Sequence, residues 1–269
     1  MVENDLSAGK EMSNFPLIIG HRGASSNAPE NTLAALQMAI DAGADGIEFD
    51  VQLAKDGVPV VIHDGTLRRT GLRSESIAEL TSAQLGRIDV GSWFNAKYPK
   101  RARAEFSRET VPTLAQVLEL CRDFDGLIYI ELKVNVRDHV PLAAAVCDVI
   151  RDSPLVSQVI VKSFKLGAIS EVRDRLPVVQ TAALFEPTIL DYLRPRKYMI
   201  VLAHEFGARQ ISLHHSLITR KLTSLAADAR MPVTIWTTDN PKWIKRCQKL
   251  GIRAVITNDP AKMIATRMA

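Results

Sequence analysis

Eight short apolar runs, each followed by a helix-like segment or a loop, constrain the fold of this chain more than any other feature. They begin at Leu17, Gly46, Leu127, Val159, Val178, Gln210, Val233 and Ala254. Most are near-continuous in Val, Ile and Leu, the pattern of strands buried on both faces. Between them apolar residues recur at three- and four-residue spacing, as in Leu33, Leu36 and Ile40. Strands alternating with helices require a parallel sheet, because parallel neighbours are joined only by a crossover. Eight such units in 269 residues predict an α/β protein with a closed (β/α)8, or TIM, barrel. An open doubly wound sheet is the alternative, but GHRGAS after the first strand is not the Gly-rich GxGxxG fingerprint.

Residues 16–269 read as one barrel domain behind a flexible tail over residues 1–15. The rhythm breaks over residues 65–112, which hold one short helical pattern at 77–85, then Gly91-Ser92-Trp93-Phe94 and a basic segment with Lys100, Arg101 and Arg103. A long irregular stretch inside a compact domain is usually functional. It is read as a small insertion after the second strand region, covering one end of the barrel.

The chemistry concentrates in residues 18–64. Two apolar runs there end in histidines, His21 and His63, and the strand between them carries Glu48 and Asp50. Residues two apart on a strand share a face. Two adjacent carboxylates repel unless a cation or a shared proton neutralises them. Glu131 and Lys133 repeat the two-residue spacing at the end of the next strand. Glu48, Asp50 and Glu131 are therefore expected to hold one divalent cation. All-oxygen ligation suits Mg²⁺ or Ca²⁺, with Mn²⁺ also possible; zinc is disfavoured because no HExxH or CxxC pattern occurs.

His21 and His63 are expected to act as an acid/base pair, since histidine titrates near neutrality. His139, His204, His214 and His215 lack such company and are read as structural. Arg22 and Lys133 are expected to contact phosphate oxygens, one as a fork and the other as a point charge. Phe164 and Trp236 are expected to wall the pocket. All these positions fall at or near strand ends, where barrel active sites lie.

A formal charge of +4 without a concentrated basic stripe gives no reason to expect nucleic acid. No apolar run is long enough to span a bilayer, and the polar first residues lack the apolar segment of a secretory signal. Three scattered cysteines, Cys121, Cys147 and Cys247, read as buried free thiols of a reducing compartment. A cytoplasmic protein is expected, of unspecified oligomeric state.

These residues resemble the glycerophosphodiester phosphodiesterase family in its bacterial cytosolic form. The pattern reads here as HRG (21–23), PENT (29–32), the ExD within IEFDVQL (47–53), HDGTLRRT (63–70), PTL (112–114), ELK (131–133), SF (163–164), Trp236 and ITNDP (256–260). The resemblance spans roughly residues 16–262. It implies metal-dependent hydrolysis of glycerophosphodiesters to sn-glycerol 3-phosphate and an alcohol. By position it implies Glu48, Asp50 and Glu131 as metal ligands, His21 and His63 as acid and base, and Arg22 and Lys133 as phosphate contacts. The segment after Trp236 is one residue longer than the family's WTVN, so Asn240 is not carried over as a pocket residue. Alternatives on the same scaffold are a lysophospholipase D-like or sphingomyelinase D-like enzyme, favoured by an apolar lip at Trp93-Phe94, and a catalytically silent phosphodiester-binding protein.

Overall fold

The computed structural model describes residues 15–134, 138–187 and 196–268. The strands are β1 (Leu17–His21), β2 (Gly46–Leu53), β3 (Pro59–Val61), β4 (Leu127–Leu132), β5 (Val159–Ser163), β6 (Gln180–Phe185), β7 (Gln210–His214), β8 (Val233–Trp236) and β9 (Ala254–Thr257). All but β3 are parallel and close in the order β1-β2-β4-β5-β6-β7-β8-β9, with β9 hydrogen-bonded back to β1. β3 folds back antiparallel on the far end of β2, pairing Val51 with Val61 and Leu53 with Pro59. The eight expected barrel strands are present. Only the fifth of them, β6, shifts: Val178 is exposed, and a turn closed by the Val179 N–H on the Leu176 carbonyl delays the strand to Gln180.

The helices are α1 (Leu33–Asp41), α2 (Ser82–Leu85), α3 (Ser92–Lys97), α4 (Leu114–Leu120), α5 (Val140–Arg151), α6 (Leu166–Arg175), α7 (Lys197–Glu205), α8 (Arg220–Asp228), α9 (Lys242–Leu250) and α10 (Pro260–Met268). Thr32 and Thr113 cap α1 and α4, their side chains accepting the backbone N–H three residues on, where an uncapped helix leaves donors unsatisfied. Residues 1–14 of the expected tail over 1–15 lie outside the described residues. Among the described residues no helix is long and apolar enough to cross a membrane.

Strand alternation sorts the core into two layers. Ile47, Phe49 and Val51 of β2, Ile128 and Ile130 of β4, and Val159 and Val161 of β5 face outward into the layer shared with the helices. Ile19, Tyr129, Ile160, Ala182, Ala254 and Ile256 point inward and plug the barrel. Next along the same inward rows come Glu131 after Tyr129 and Lys162 after Ile160, paired across β4 and β5. An apolar floor thus lies beneath a layer of charge. Cys121, Cys147 and Cys247 are buried free thiols, and burial pushes Cys121 and Cys247 up to about 12.

The stretch between β3 and α4 has cores of its own. One packs Leu67, Ile77 and Leu85 on Val60 and Ile62; the other packs Phe94 and Phe106 on Ala28 and Ala35. The helical pattern expected over 77–85 is two short elements, a 3₁₀ turn Ile77–Glu79 and α2. Thr81 divides them, because its side chain caps α2 by accepting the Gln84 N–H. Phe94 is fully buried in edge-to-face contact with Phe106, ring centroids 5.7 Å apart. It therefore contributes no exposed apolar lip.

Candidate active site

The inward rows of β2 and β4 bring Glu48, Asp50 and Glu131 together. All three are buried, and one oxygen from each lies within 4.8 Å of the others. Such a cluster is stable only with compensating charge, and three cations supply it. Lys162 Nζ lies 2.7 Å from Glu48 Oε1 and 3.4 Å from Glu131 Oε2. Lys133 Nζ bridges Glu131 Oε1 at 2.6 Å and Asp50 Oδ1 at 3.2 Å. Arg22 places Nε 3.0 Å from Asp50 Oδ2, and its backbone N–H donates to Glu48 Oε2.

These pairings keep Asp50 and Glu48 ionised. Burial opposes the charge on Asp50, but Arg22, Lys133 and His63 together outweigh it and hold the carboxyl well below its ordinary range. Burial likewise opposes Glu48, and Lys162 and then His21 outweigh it. The lysines respond in kind: burial is overcome by Asp50 and Glu131 at Lys133, and by Glu48 and Glu131 at Lys162, so both stay charged.

The residues of PENT now have separate tasks. Glu30 accepts from Arg22 Nη1 at 2.7 Å and from Arg69 Nη1 at 2.6 Å. Asn31, at φ +58°, clamps Asp50 from both sides: its Nδ2 donates to Asp50 Oδ2, and its Oδ1 accepts the Asp50 N–H. Gly23 lets this loop pass close to α1. It sits at φ +81°, and a Cβ there would lie 2.3 Å from the Ala35 backbone.

His21 ends β1 beside Glu48, Nε2 lying 4.0 Å from Glu48 Oε2. Its Nδ1 is 2.7 Å from Asn258 Oδ1. Asn258 Nδ2 donates to Asp239 Oδ2 at 2.9 Å, so the Asn258 oxygen is the acceptor and His21 carries its proton on Nδ1. Burial holds the ring below its ordinary histidine value despite Glu48. His63 follows β3, and its Nδ1 donates to Asp64 Oδ1 at 2.6 Å. Asp64 in turn accepts from Arg69 Nε at 2.7 Å. The two histidines therefore differ in partner, a neutral amide for one and a carboxylate for the other.

Phe164, 40% exposed, follows β5, and Trp236 ends β8; their rings meet edge-on with centroids 5.6 Å apart. The Trp236 indole N–H is buried without a partner. His214, set aside in the sequence as structural, ends β7 and packs edge-on against Trp236 at 5.3 Å. His215 stacks beside it, 4.3 Å between centroids. Asn240 accepts the Lys242 N–H at the start of α9. Sequence reasoning misses Lys162 and Asp239, and it quotes Glu30, Asp64, Arg69 and Asn258 only as motif positions without a role. For Lys162 a signal exists, a lysine on the inward row of an otherwise apolar strand.

The donor set is compatible with a hard cation. It is all carboxylate oxygen, and the Lys133 ammonium bridging Asp50 and Glu131 marks a place where positive charge is held.

The chain is similar to known proteins along nearly its whole length. The curated glycerophosphodiester phosphodiesterase of Caldanaerobacter subterraneus subsp. tengcongensis is 32% identical over 248 residues, 92% of this chain and 96% of that one. That of Bacillus altitudinis is 29% identical over 251 residues, 93% and 97%. Among solved structures, an Oleispira antarctica phosphodiesterase in complex with its product sn-glycerol-3-phosphate superposes with a TM-score of 0.82 at 26% identity, covering 95% of this chain and 98% of that one. A glycerophosphodiester phosphodiesterase from Agrobacterium tumefaciens gives 0.74, also at 26%, covering 93% and 99%. The model of the Glycerophosphoryl diester phosphodiesterase family matches residues 21–262, and the chain belongs to that family.

Proposed function

We propose that this enzyme hydrolyses glycerophosphodiesters to sn-glycerol 3-phosphate and an alcohol, using a divalent cation held by Glu48, Asp50 and Glu131 and proton transfer by His21 and His63. The observation that carries the reading is the convergence of two differently partnered histidines on one buried acid cluster. Mg²⁺ or Ca²⁺ suits the oxygen donors, and Mn²⁺ is compatible with them. When bound, the cation supplies charge neutralisation at the phosphoryl oxygens.

The protein's own groups supply the rest. Arg22 and Lys133, both tied to Asp50, present positive charge to the phosphodiester. His21, its Nδ1–H committed to Asn258, keeps Nε2 free to take the proton of the attacking hydroxyl, whether from water or from the substrate's own glycerol 2-hydroxyl. His63, held by Asp64, delivers a proton to the leaving alkoxide as its bond to phosphorus breaks. Phe164 and Trp236 wall the mouth. A cytoplasmic setting belongs to the same reading, supported by the three buried free thiols.

Asn258 is a positioning residue in this scheme. Asn258→Leu is expected to lower kcat about 10- to 100-fold with KM little changed, and to move the acid limb of the rate–pH profile. An unaltered profile would remove Asn258 from the account. The reaction itself is tested by ³¹P NMR of the products from glycerophosphocholine, with lysophosphatidylcholine as a parallel substrate. Release of sn-glycerol 3-phosphate from the first, faster than turnover of the second, supports the reading. Turnover of lysophosphatidylcholine alone contradicts it.

A further inference from the structure

Lys162 is the one cation of the site that faces the apolar floor rather than the mouth. It is 2% exposed, lies on the inward row directly after Ile160, and pairs across the sheet with Glu131. Substrate entering from the strand ends meets Arg22 and Lys133 first, because both are more exposed and lie at loop positions after β1 and β4. Lys162 instead engages Glu48 Oε1 and Glu131 Oε2 from below. Each of these acids is left with a single oxygen away from Lys162, and on Glu131 that oxygen, Oε1, lies 2.6 Å from Lys133 Nζ. Glu48 Oε2 accepts the Arg22 backbone N–H.

We infer that Lys162 is a specificity-determining residue of the cation site, which makes the centre select Mg²⁺ over Ca²⁺. This rests on the cation site proposed above. Ca²⁺ takes six to eight oxygens and gains from carboxylates that offer both of theirs; Mg²⁺ takes six, keeps several waters and needs only one or two carboxylates. An ammonium occupying the second oxygen of two ligands penalises the first ion more than the second. It also removes one unit of negative charge from the cluster. Two unit charges about 4 Å apart at an effective dielectric near 20 shift an equilibrium by about a thousandfold. That exceeds the roughly 10- to 100-fold loss that follows from disturbing a ligand's outer partner. Removing Lys162 therefore strengthens cation binding, most of all for the ion that uses the freed oxygens.

The test is calorimetric titration of the metal-free full chain with MgCl₂ and with CaCl₂, for the wild type, Lys162→Met and Lys162→Gln, with melting temperatures recorded alongside. Met removes the charge at similar length, and Gln keeps a donor toward Glu48 in case the apolar variant folds poorly. The expected result is a wild type that binds Mg²⁺ more tightly than Ca²⁺. In the variants the Ca²⁺ to Mg²⁺ affinity ratio should rise at least about tenfold, and metal should restore more of the melting temperature than it does in the wild type. A wild type that prefers Ca²⁺ overturns the inference whatever the variants do, and so does a folded variant with an unchanged ratio. A wild type that binds neither ion overturns the cation site as well.

Discussion

Glu48→Gln is expected to abolish cation-dependent turnover and also to destabilise the barrel, by about 3–5 kcal/mol. The second effect comes from Lys162. Glu48 is its closest partner, both groups are buried, and a neutral amide leaves the ammonium short of compensation. Glu131→Gln separates the two effects. Lys162 then keeps Glu48, and Lys133 keeps Asp50. Turnover should fall as far, while the melting temperature changes much less than for Glu48→Gln. Equal stability losses in the two variants would contradict the charge pairing described for the floor of the site, and retained activity in either would remove that acid from the centre.

The histidines should give the second large effect. His63→Ala and His21→Ala are each expected to cut kcat by roughly two to four orders of magnitude, with Mg²⁺ binding retained because neither ring is among the proposed ligands. Their substrate dependence should differ. A leaving group that needs no protonation, such as p-nitrophenolate, bypasses the acid. Activity toward a p-nitrophenyl phosphodiester should therefore survive His63→Ala better than His21→Ala. The reverse order would exchange the two roles, and near-normal rates in both variants would discard histidine acid/base chemistry altogether.

Much of this site was legible because strand geometry is periodic. Glu48 with Asp50, and Glu131 with Lys133, share faces at a spacing of two, so the acid cluster can be read from the sequence of β2 and β4. Lys162 obeys the same rule after Ile160, but a single lysine near the end of a five-residue strand reads equally well as a solvent-exposed terminus. Only the register with Glu131 shows where it lies. The contact between Asn258, which stands in ITNDP, and Asp239 is hidden for a different reason. They are 19 residues apart, beyond the ends of β9 and β8, and they meet only because those strands are neighbours in the closed barrel. His214 and His215 were set aside for want of sequence company. Their company, Trp236, comes from the pairing of β7 with β8. The same limit explains the insertion: its helical spacing was visible, but the Thr81 cap that splits it is a local hydrogen bond that outcompetes the apolar stripe.

The most direct test of the account is the release of sn-glycerol 3-phosphate from glycerophosphocholine and glycerophosphoethanolamine by enzyme stripped with EDTA, then supplied with Mg²⁺, Ca²⁺ or Mn²⁺ in parallel. No release is expected from the stripped enzyme, and full recovery on adding back a divalent cation, Mg²⁺ restoring activity at the lowest concentration. Undiminished release in EDTA, or none with any cation from a folded sample, would contradict it.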